Sequence, residues 1–429
     1  MKAKTFFCLI FFLAAANICG CGFGGFSGGD SGSTTGQTNP TDTDTKIKGV
    51  VSKGLFKDGT VKVYAVNTDR TREEISIPEK QPITISPFGT YSTHISSSRT
   101  LSGSSSGVSY SGVVEIEATG TYTDEATGMD KPTEEPLRAL IANPTDDVKV
   151  AVTPLTELAA QIATKGSGTL TADKVNNANA LVSDLFKVDI IATQPVALTN
   201  DGFLNKDTFQ TQKDYTLALA AISQLAKNSK LSDVLTTLAT DLADDGAMSA
   251  ENAAAFQTAL KDFLASDRNP TVVKDIRLTN LANVGGTTRT VKVTTTGEPP
   301  PGLSFGGFTV TVELPQGVTL KADFSGTAYE TLSGVVTTSA ALPQGLYPIG
   351  HYIPPSDTAR GQVTVGILSM NAGGFGVGEL LAIKCDVPAG QSPPISDFKV
   401  ASFDAVLFDP NNSGSTLPGG DTIKASVTE

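Results

Sequence analysis

The chain has 429 residues, of which 39% are hydrophobic and 18% are charged, and its formal net charge at pH 7 is −12. This length and composition can bury several hydrophobic cores and predict two or three domains. The acidic balance argues against a nucleic-acid partner and against a basic membrane-binding patch.

Residues 1–20 have the pattern of a secretory signal peptide. Lys2 and Lys4 precede the apolar run TFFCLIFFLAAA, which is too short to span a bilayer comfortably. Removal of these two lysines with the signal changes the net charge from −12 to −14. We found no second apolar run of membrane-spanning length in the sequence.

The end of this signal decides between two kinds of processing. Reading back from Cys21 gives Gly20, Cys19 and Ile18, an order that resembles the lipobox of bacterial lipoproteins. The resemblance implies that Cys21 is acylated, with palmitate-type chains, and anchors the chain in a membrane. Gly22 implies sorting to the outer membrane of the cell envelope, on its periplasmic or its exposed face. The alternative is an ordinary secretory signal with incidental cysteines.

Residues 21–45 are composed mainly of Gly, Ser, Thr and Asp, which predicts a flexible linker after the lipidated cysteine. Two stretches in it, GFSGG (25–29) and GDSG (29–32), match serine-hydrolase patterns, and GSSSG (103–107) does so further on. None of the three lies between a predicted strand and a helix, as such a nucleophile requires. We attribute all three to composition.

Residues 46–137 have β-strand periodicity. TVKVYAV (60–66) alternates apolar and other residues, and PITIS, GTYSTHI and GVVEIEATG predict further short strands. The order GVVSKGLFKDGTVKVYAV, PFGTYSTHI, GVVEIEATG resembles the carboxypeptidase-regulatory-like β-sandwiches of the immunoglobulin type. The resemblance implies an Ig-like spacer or adhesive module.

Residues 138–275 predict an α-helical bundle of five amphipathic helices. The first helix, in TPLTELAAQIATKG, has Thr153 as N-cap, Pro154 at its first position and Gly166 after its end. The fourth is predicted to begin with Ser232 as N-cap and to stop at Gly246. The stretch VTPLTELAA and the helices after it resemble uncharacterised bacterial lipoproteins, a resemblance that implies no activity.

Residues 276–429 return to β periodicity, in FGGFTVTVELPQGVTL, GQVTVGILSM, GVGELLAIKCDVPAG and FKVASFDAVLFD. This order resembles a cohesin-like or carbohydrate-binding-module-like β-sandwich. The predicted fold class is therefore multidomain: β-sandwich, α-helical bundle, β-sandwich. We expect residues 287–429 to fold alone, because the preceding NVGG (283–286) has the composition of a polar, flexible boundary.

Few residues suggest catalysis or cofactor binding. His94 and His351 fall in different predicted domains, which argues against a histidine triad or a zinc site. The glycine run GGFGVGEL (373–380) is interpreted as a turn rather than a dinucleotide loop. Cys385 lies in a strand pattern and is interpreted as a small buried residue. No catalytic residue and no cofactor is predicted.

Two acidic stretches are weak metal candidates. Asp409, Asn411 and Ser413 in DPNNSG begin like a calcium loop, but position twelve of that loop is Gly420, where a bidentate Glu is needed. An Asx-rich turn is the preferred interpretation, and no metal site is predicted. The stretch YTDEATGMD (122–130) predicts a solvated loop first and a calcium site second.

These patterns leave two hypotheses of different class. The first is a non-catalytic envelope lipoprotein, anchored through Cys21, that binds a protein or glycan partner for adhesion or scaffolding. The alternative is an accessory or catalytic subunit acting on extracellular polysaccharide. That alternative requires a pair of carboxylates about 5–10 Å apart, and the sequence nominates none.

Overall fold

Four β-sheets and a helical middle segment make up the part of the chain that this computed structural model describes. That part comprises residues 45–75, 83–95, 111–144, 147–326, 328–340, 350–368, 374–409, 416–418 and 422–429, with single residues at 342, 346 and 348. It lies within one compact unit, Asp42–Glu429. The predicted signal, Cys21, most of the linker and the GSSSG stretch lie outside the described residues.

The first β region has two sheets that share one core. The strands are β1 (Thr45–Val50), β2 (Leu55–Val66), β3 (Arg72–Glu74), β4 (Ile83–Thr84), β5 (Thr90–Ile95), β6 (Val113–Thr123), β7 (Asp130–Pro132), β8 (Leu137–Ala142) and β9 (Val148–Lys149). The three-stranded sheet has the order β5-β1-β9, and the other has the order β3-β2-β6-β7 with β4 on β2 and β8 on β6. Ile47 and Ile95 of the first sheet and Val63 and Ile116 of the second are buried in the same cluster.

The strands continue past residue 137, where the sequence analysis placed the start of the helical domain. In β8, Ala139 and Ile141 face the β core, while Leu140 belongs to the core beneath the helices. A strand covered on both faces loses the alternation that identifies strands in a sequence. The predicted boundary at 137/138 therefore falls inside the β region.

The helical layer packs against this second face of β8. Arg138 Nε and Nη2 donate to the two carboxylate oxygens of Glu157 on the first helix, at 2.9 and 2.7 Å. The same helix and the next one both contact β8. The helices are α1 (Pro154–Thr164), α2 (Ala172–Phe186), α3 (Asn200–Leu204), α4 (Gln210–Leu225), α5 (Leu231–Asp245) and α6 (Ala250–Ala265).

The helix ends agree with the capping predictions at most positions. Thr153 Oγ1 accepts from the backbone N–H of Leu155 and Thr156, at 3.2 and 3.3 Å, and so caps α1. Gly246 ends α5 at φ 74°, the left-handed conformation that favours glycine. The prediction of Ser232 as N-cap is wrong, because Lys230 holds that position. The helix takes in Leu231, whose side chain packs against the helical core.

The second β region also has two sheets around one core. The strands are β10 (Thr287–Gly297), β11 (Ser304–Glu313), β12 (Ala322–Asp323), β13 (Tyr329–Thr331), β14 (Val336–Thr338), β15 (Gly350–Ile353), β16 (Gln362–Leu368), β17 (Glu379–Val387), β18 (Lys399–Phe408), β19 (Thr416–Pro418) and β20 (Ile423–Thr428). The two sheets have the orders β14-β17-β10-β20 and β12-β13-β15-β16-β11-β18-β19. Val291 and Ile383 of the first sheet share a buried cluster with Val310 and Val365 of the second.

The junction between the helices and the second β region is buried. Leu281 and Val284 belong to the helical core. Asn283 Nδ2 donates to Gly317 O, Thr319 Oγ1 and Asp386 O, each at 2.9 Å. The interpretation of NVGG as a polar, flexible boundary is therefore wrong, because its asparagine and valine are used to join the two regions.

Candidate functional site: a cleft beside a buried ion cluster

Lys53, in the turn between β1 and β2, has a side chain only 1% exposed. Its ammonium group lies 3.1 Å from Asp124 Oδ2 and 3.5 Å from Glu125 Oε2. It also donates to Ser223 Oγ of α4 at 2.5 Å. We refer to these four residues as the Lys53 cluster.

The carboxylates of the cluster are fully engaged. Glu125 Oε1 accepts from the Gly54 N–H at 2.6 Å, and Glu125 Oε2 accepts from Ser223 Oγ at 2.6 Å. Asp124 Oδ1 accepts from Thr127 N and Oγ1, at 2.9 and 2.8 Å. Buried charges persist only when they are paired and hydrogen-bonded, and both conditions are met here.

The electrostatics keep Lys53 protonated. Burial alone would lower its pKa, but Glu125 and Asp124 outweigh burial and raise the pKa above the ordinary lysine value. Burial would likewise raise the pKa of Asp124, yet Lys53 lowers it below the ordinary value. A lysine that activates a serine must be neutral to accept its proton. The contact between Lys53 and the fully buried Ser223 therefore joins α4 to the β region and does not form a nucleophile–base pair.

The prediction that the acidic stretch YTDEATGMD (122–130) is a solvated loop is wrong. Asp124 and Glu125 are buried beneath α4, where Lys53 and Ser223 compensate them. Asp130 of the same stretch is exposed, but it accepts from Lys57 Nζ at 2.6 Å.

A cleft of about 440 Å³ opens beside the cluster, between the first β region and the helical layer. Its lining is mainly apolar, and Asp124 and Glu125 line it as well. Phe88 and Leu55 border it with side chains that are 80% and 46% exposed. A cleft of this size falls within the range of about 300–1,000 Å³ seen for ligand sites. A second cavity, of about 60 Å³, also borders Lys53 and Asp124.

Arg268 lines the same cleft from the segment after α6. Its guanidinium lies over the backbone of Gly128, since a Cβ built on that glycine would stand 2.5 Å from Arg268 Nη1. Gly128 has φ 68°, so the turn favours glycine for its conformation too. Arg268 is exposed, and within the described part of the chain it has no hydrogen bond or ion pair.

The singled-out residues that the structure describes do not meet at one place. His94 lies in β5 and His351 in β15, in two different sheets. Cys385 is buried, as predicted, and burial raises the pKa of its thiol to about 12. Asp409 follows β18, whereas Asn411 and Ser413 lie outside the described residues.

The described residues contain no group of three or more His, Cys, Asp or Glu side chains placed to hold a metal ion. None of their helices combines the length and apolarity needed to cross a membrane.

Comparison of the chain with family models, with curated proteins and with solved structures finds no match.

The residues that define this site were not among those predicted from the sequence. Lys53 occurs among apolar residues in VVSKGLF, and Ser223 is a single hydroxyl inside the apolar helix TLALAAISQLA. A polar residue in such a run was a signal that it needs a partner. The partner's identity had no local signal, because Lys53 lies 71 residues from Asp124 and 170 from Ser223.

Proposed function

We propose that the chain is a lipid-anchored, non-catalytic protein of the bacterial outer membrane that binds a protein partner through the cleft beside the Lys53 cluster. The observation that carries the proposal is the cleft itself, with its apolar lining and the exposed Phe88 at its border. Apolar anchors in concave sites dominate the energetics of protein recognition.

The finer architecture is part of the proposal. Two sheets around one core in each β region support an Ig-like β-sandwich at the N-terminal side and a cohesin-like β-sandwich at the C-terminal side. Modules of this kind serve as scaffolds, and loops and clefts at their borders carry the binding surfaces.

A protein partner is favoured over a glycan by the chemistry of the cleft. Sugars are held by several free hydrogen-bonding groups, whereas the two carboxylates that line the cleft are already engaged by Lys53, Gly54 and Thr127, and Arg268 is the one charged lining residue of the described chain that is left free. The exposed groups at its border, Phe88 and Leu55, offer apolar surface instead.

The anchor is tested by fatty-acid labelling of cells. Replacing Cys21 with serine should abolish labelling, because the lipobox-like order places Cys21 at the acylated position, whereas Cys19→Ser should leave it intact. Labelling that persists in the Cys21→Ser variant would contradict the anchor and leave the cleft proposal unaffected.

The binding site is tested by photocrosslinking in cells. We expect p-benzoylphenylalanine at position 88 to crosslink a discrete protein, because Phe88 borders the cleft. The same group at position 209 is the control, since Phe209 is similarly exposed, at 73%, and does not line the cleft.

Identical crosslinks from both positions, or none from position 88, would contradict the assignment of the cleft.

The proposal that the protein is non-catalytic is tested with a panel of ester, peptide and polysaccharide substrates, with and without calcium. Turnover that disappears on substitution of one Asp, Glu or Ser would favour the polysaccharide-active alternative.

A further inference from the structure

We infer that the cleft takes a short segment of a partner protein in which a bulky apolar side chain stands next to a carboxylate, with the carboxylate paired to Arg268. The inference rests on the proposed binding function and deepens it by naming the chemistry that the partner presents.

The apolar half follows from the walls of the cleft. Their exposed or half-buried apolar side chains come from three separate parts of the chain: Leu55 and Phe88 from the β region, Val196 and Leu198 from the segment between α2 and α3, and Pro270 after α6. An occupant that covers these walls removes apolar surface from water, which is the main favourable term in such association. The occupant therefore needs a bulky apolar group.

The acidic half follows from the charges that line the cleft. Among the described lining residues the charged ones are Asp124, Glu125 and Arg268. Lys53 Nζ lies 3.1 Å from Asp124 Oδ2 and 3.5 Å from Glu125 Oε2, and Lys131 Nζ lies 3.6 Å from the same Asp124 oxygen, so two ammonium groups compensate the two carboxylates. Arg268 is the member without a partner in the described structure. The unmatched charge in the cleft is positive, and the complementary occupant is an anion.

A carboxylate suits this arginine. Guanidinium presents a planar fork of donors that matches the two oxygens of a carboxylate. Its position over Gly128 leaves the backbone on one side of it, so an occupant approaches from the side of the cleft. A carboxylate adjacent to the apolar group satisfies both features with one short segment.

A protein segment is favoured over a lipid by the border of the cleft. Phe88, 80% exposed, and Leu55, 46% exposed, extend the apolar surface beyond the interior of the cleft to its border. A segment that belongs to a larger body covers the interior and the border together. Continuous coverage that excludes water is what makes such apolar anchors effective.

The test is selection from a random seven-residue peptide library, displayed on phage, against residues 42–429, which form a compact unit of their own. We expect the selected peptides to carry Asp or Glu within two residues of Leu, Ile or Phe. Synthetic copies are then measured by fluorescence polarisation. Arg268→Gln should weaken binding about 10-fold or more, and Arg268→Lys less, since lysine keeps the charge but not the fork.

Matched variants separate the two halves of the recognition. Phe88→Ala should weaken binding about 5-fold or more, whereas Phe209→Ala and Lys206→Gln, both exposed and outside the cleft, should leave it unchanged. Changing the acidic residue of the peptide to its amide should weaken binding to the wild-type protein about as much as Arg268→Gln does. The same change in the peptide should weaken binding to the Arg268→Gln variant little further. That non-additivity identifies the pair.

Three outcomes would overturn the inference: no peptide is selected, the selected peptides lack acidic residues, or Arg268→Gln binds as tightly as wild type. Dodecanoate, added as a competitor, tests the lipid source. The cleft takes a lipid if no peptide is selected and dodecanoate binds to the wild-type protein but more weakly to both Phe88→Ala and Arg268→Gln. A position-specific crosslink at residue 88 alongside any of these failures would retain the binding function and reject only this chemistry.

Discussion

Replacing Lys53 with methionine should lower the free energy of unfolding by about 3–5 kcal/mol, the usual cost of removing one partner from a buried ion pair. Methionine fills similar space but leaves Asp124 and Glu125 without the ammonium that compensates them. Ser223 also loses the donor at its hydroxyl oxygen. Urea unfolding followed by circular dichroism measures the effect.

Lys57→Met is the matched control for this substitution. Lys57 lies four residues further on and pairs with Asp130 at 2.6 Å, but both side chains are about half exposed. Exposed pairs contribute little because water and salt screen them. The control should therefore leave the urea midpoint nearly unchanged. Equal effects of the two substitutions would show that the charge of Lys53 is not needed by the fold.

A compensating variant separates charge from packing. In the triple variant Lys53→Met, Asp124→Asn, Glu125→Gln, the orphaned charges are removed together with the lysine. Part of the lost stability should return, since the largest cost of the single substitution is two buried carboxylates that have lost the ammonium of Lys53. No recovery would indicate that the cost comes from lost packing at Lys53.

The sequence was sufficient for elements whose determinants are local. The cap at Thr153 and the stop at Gly246 need only a few neighbouring residues, and both positions agree with the structure. Strand β8 was missed because the burial of both its faces comes from a helix and a sheet elsewhere in the chain. The sequence pattern of LRALIA does not distinguish such a strand from part of a helix.

The candidate site depended on contacts that no local pattern encodes. Asp124 and Glu125 have the composition of a surface turn, and Asp124 Oδ1 does accept an Asx-type bond from the backbone N–H of Thr127. Their burial follows from Ser223 and Lys53, which reach them from α4 and from the turn after β1. A turn of this composition can be exposed or buried, so the sequence of the turn does not indicate that Asp124 and Glu125 are buried.

The second large effect is a pH dependence at Asp214 of α4, which is buried at the junction with the second β region. Its carboxylate accepts from Gln210 Nε2 at 2.9 Å and from Asn280 Nδ2 at 2.7 Å. Asn280 Oδ1 in turn accepts from the Ala322 N–H of β12 at 2.8 Å. Burial raises the pKa of Asp214 to about 7, against the opposing effect of these hydrogen bonds and of Lys213.

The sign of the effect follows from where the proton is held. The unfolded chain releases it near the ordinary value of 3.8, whereas the native protein keeps it up to about pH 7. The native state therefore binds more protons between these values, and stability falls as pH rises through that window. The slope reaches about 1.4 kcal/mol per pH unit, or about 3 kcal/mol between pH 4.5 and 7.

Urea unfolding of wild type and Asp214→Asn between pH 4.5 and 8 isolates this group, because the variant has no proton to lose. The stability of wild type relative to the variant should fall from pH 4.5 to about 7 and then stay constant.

Asp241→Asn is the control. Burial opposes the hydrogen bonds from Asn252 and Ser249, but these bonds prevail and lower the pKa of Asp241. Asp241 is then ionised in both the native and the unfolded state above pH 5. The difference in free energy of unfolding between wild type and Asp241→Asn should therefore not change with pH in that range. A flat difference for Asp214→Asn as well would mean that Asp214 is ionised throughout, and that its three donors outweigh the cost of burying the charge.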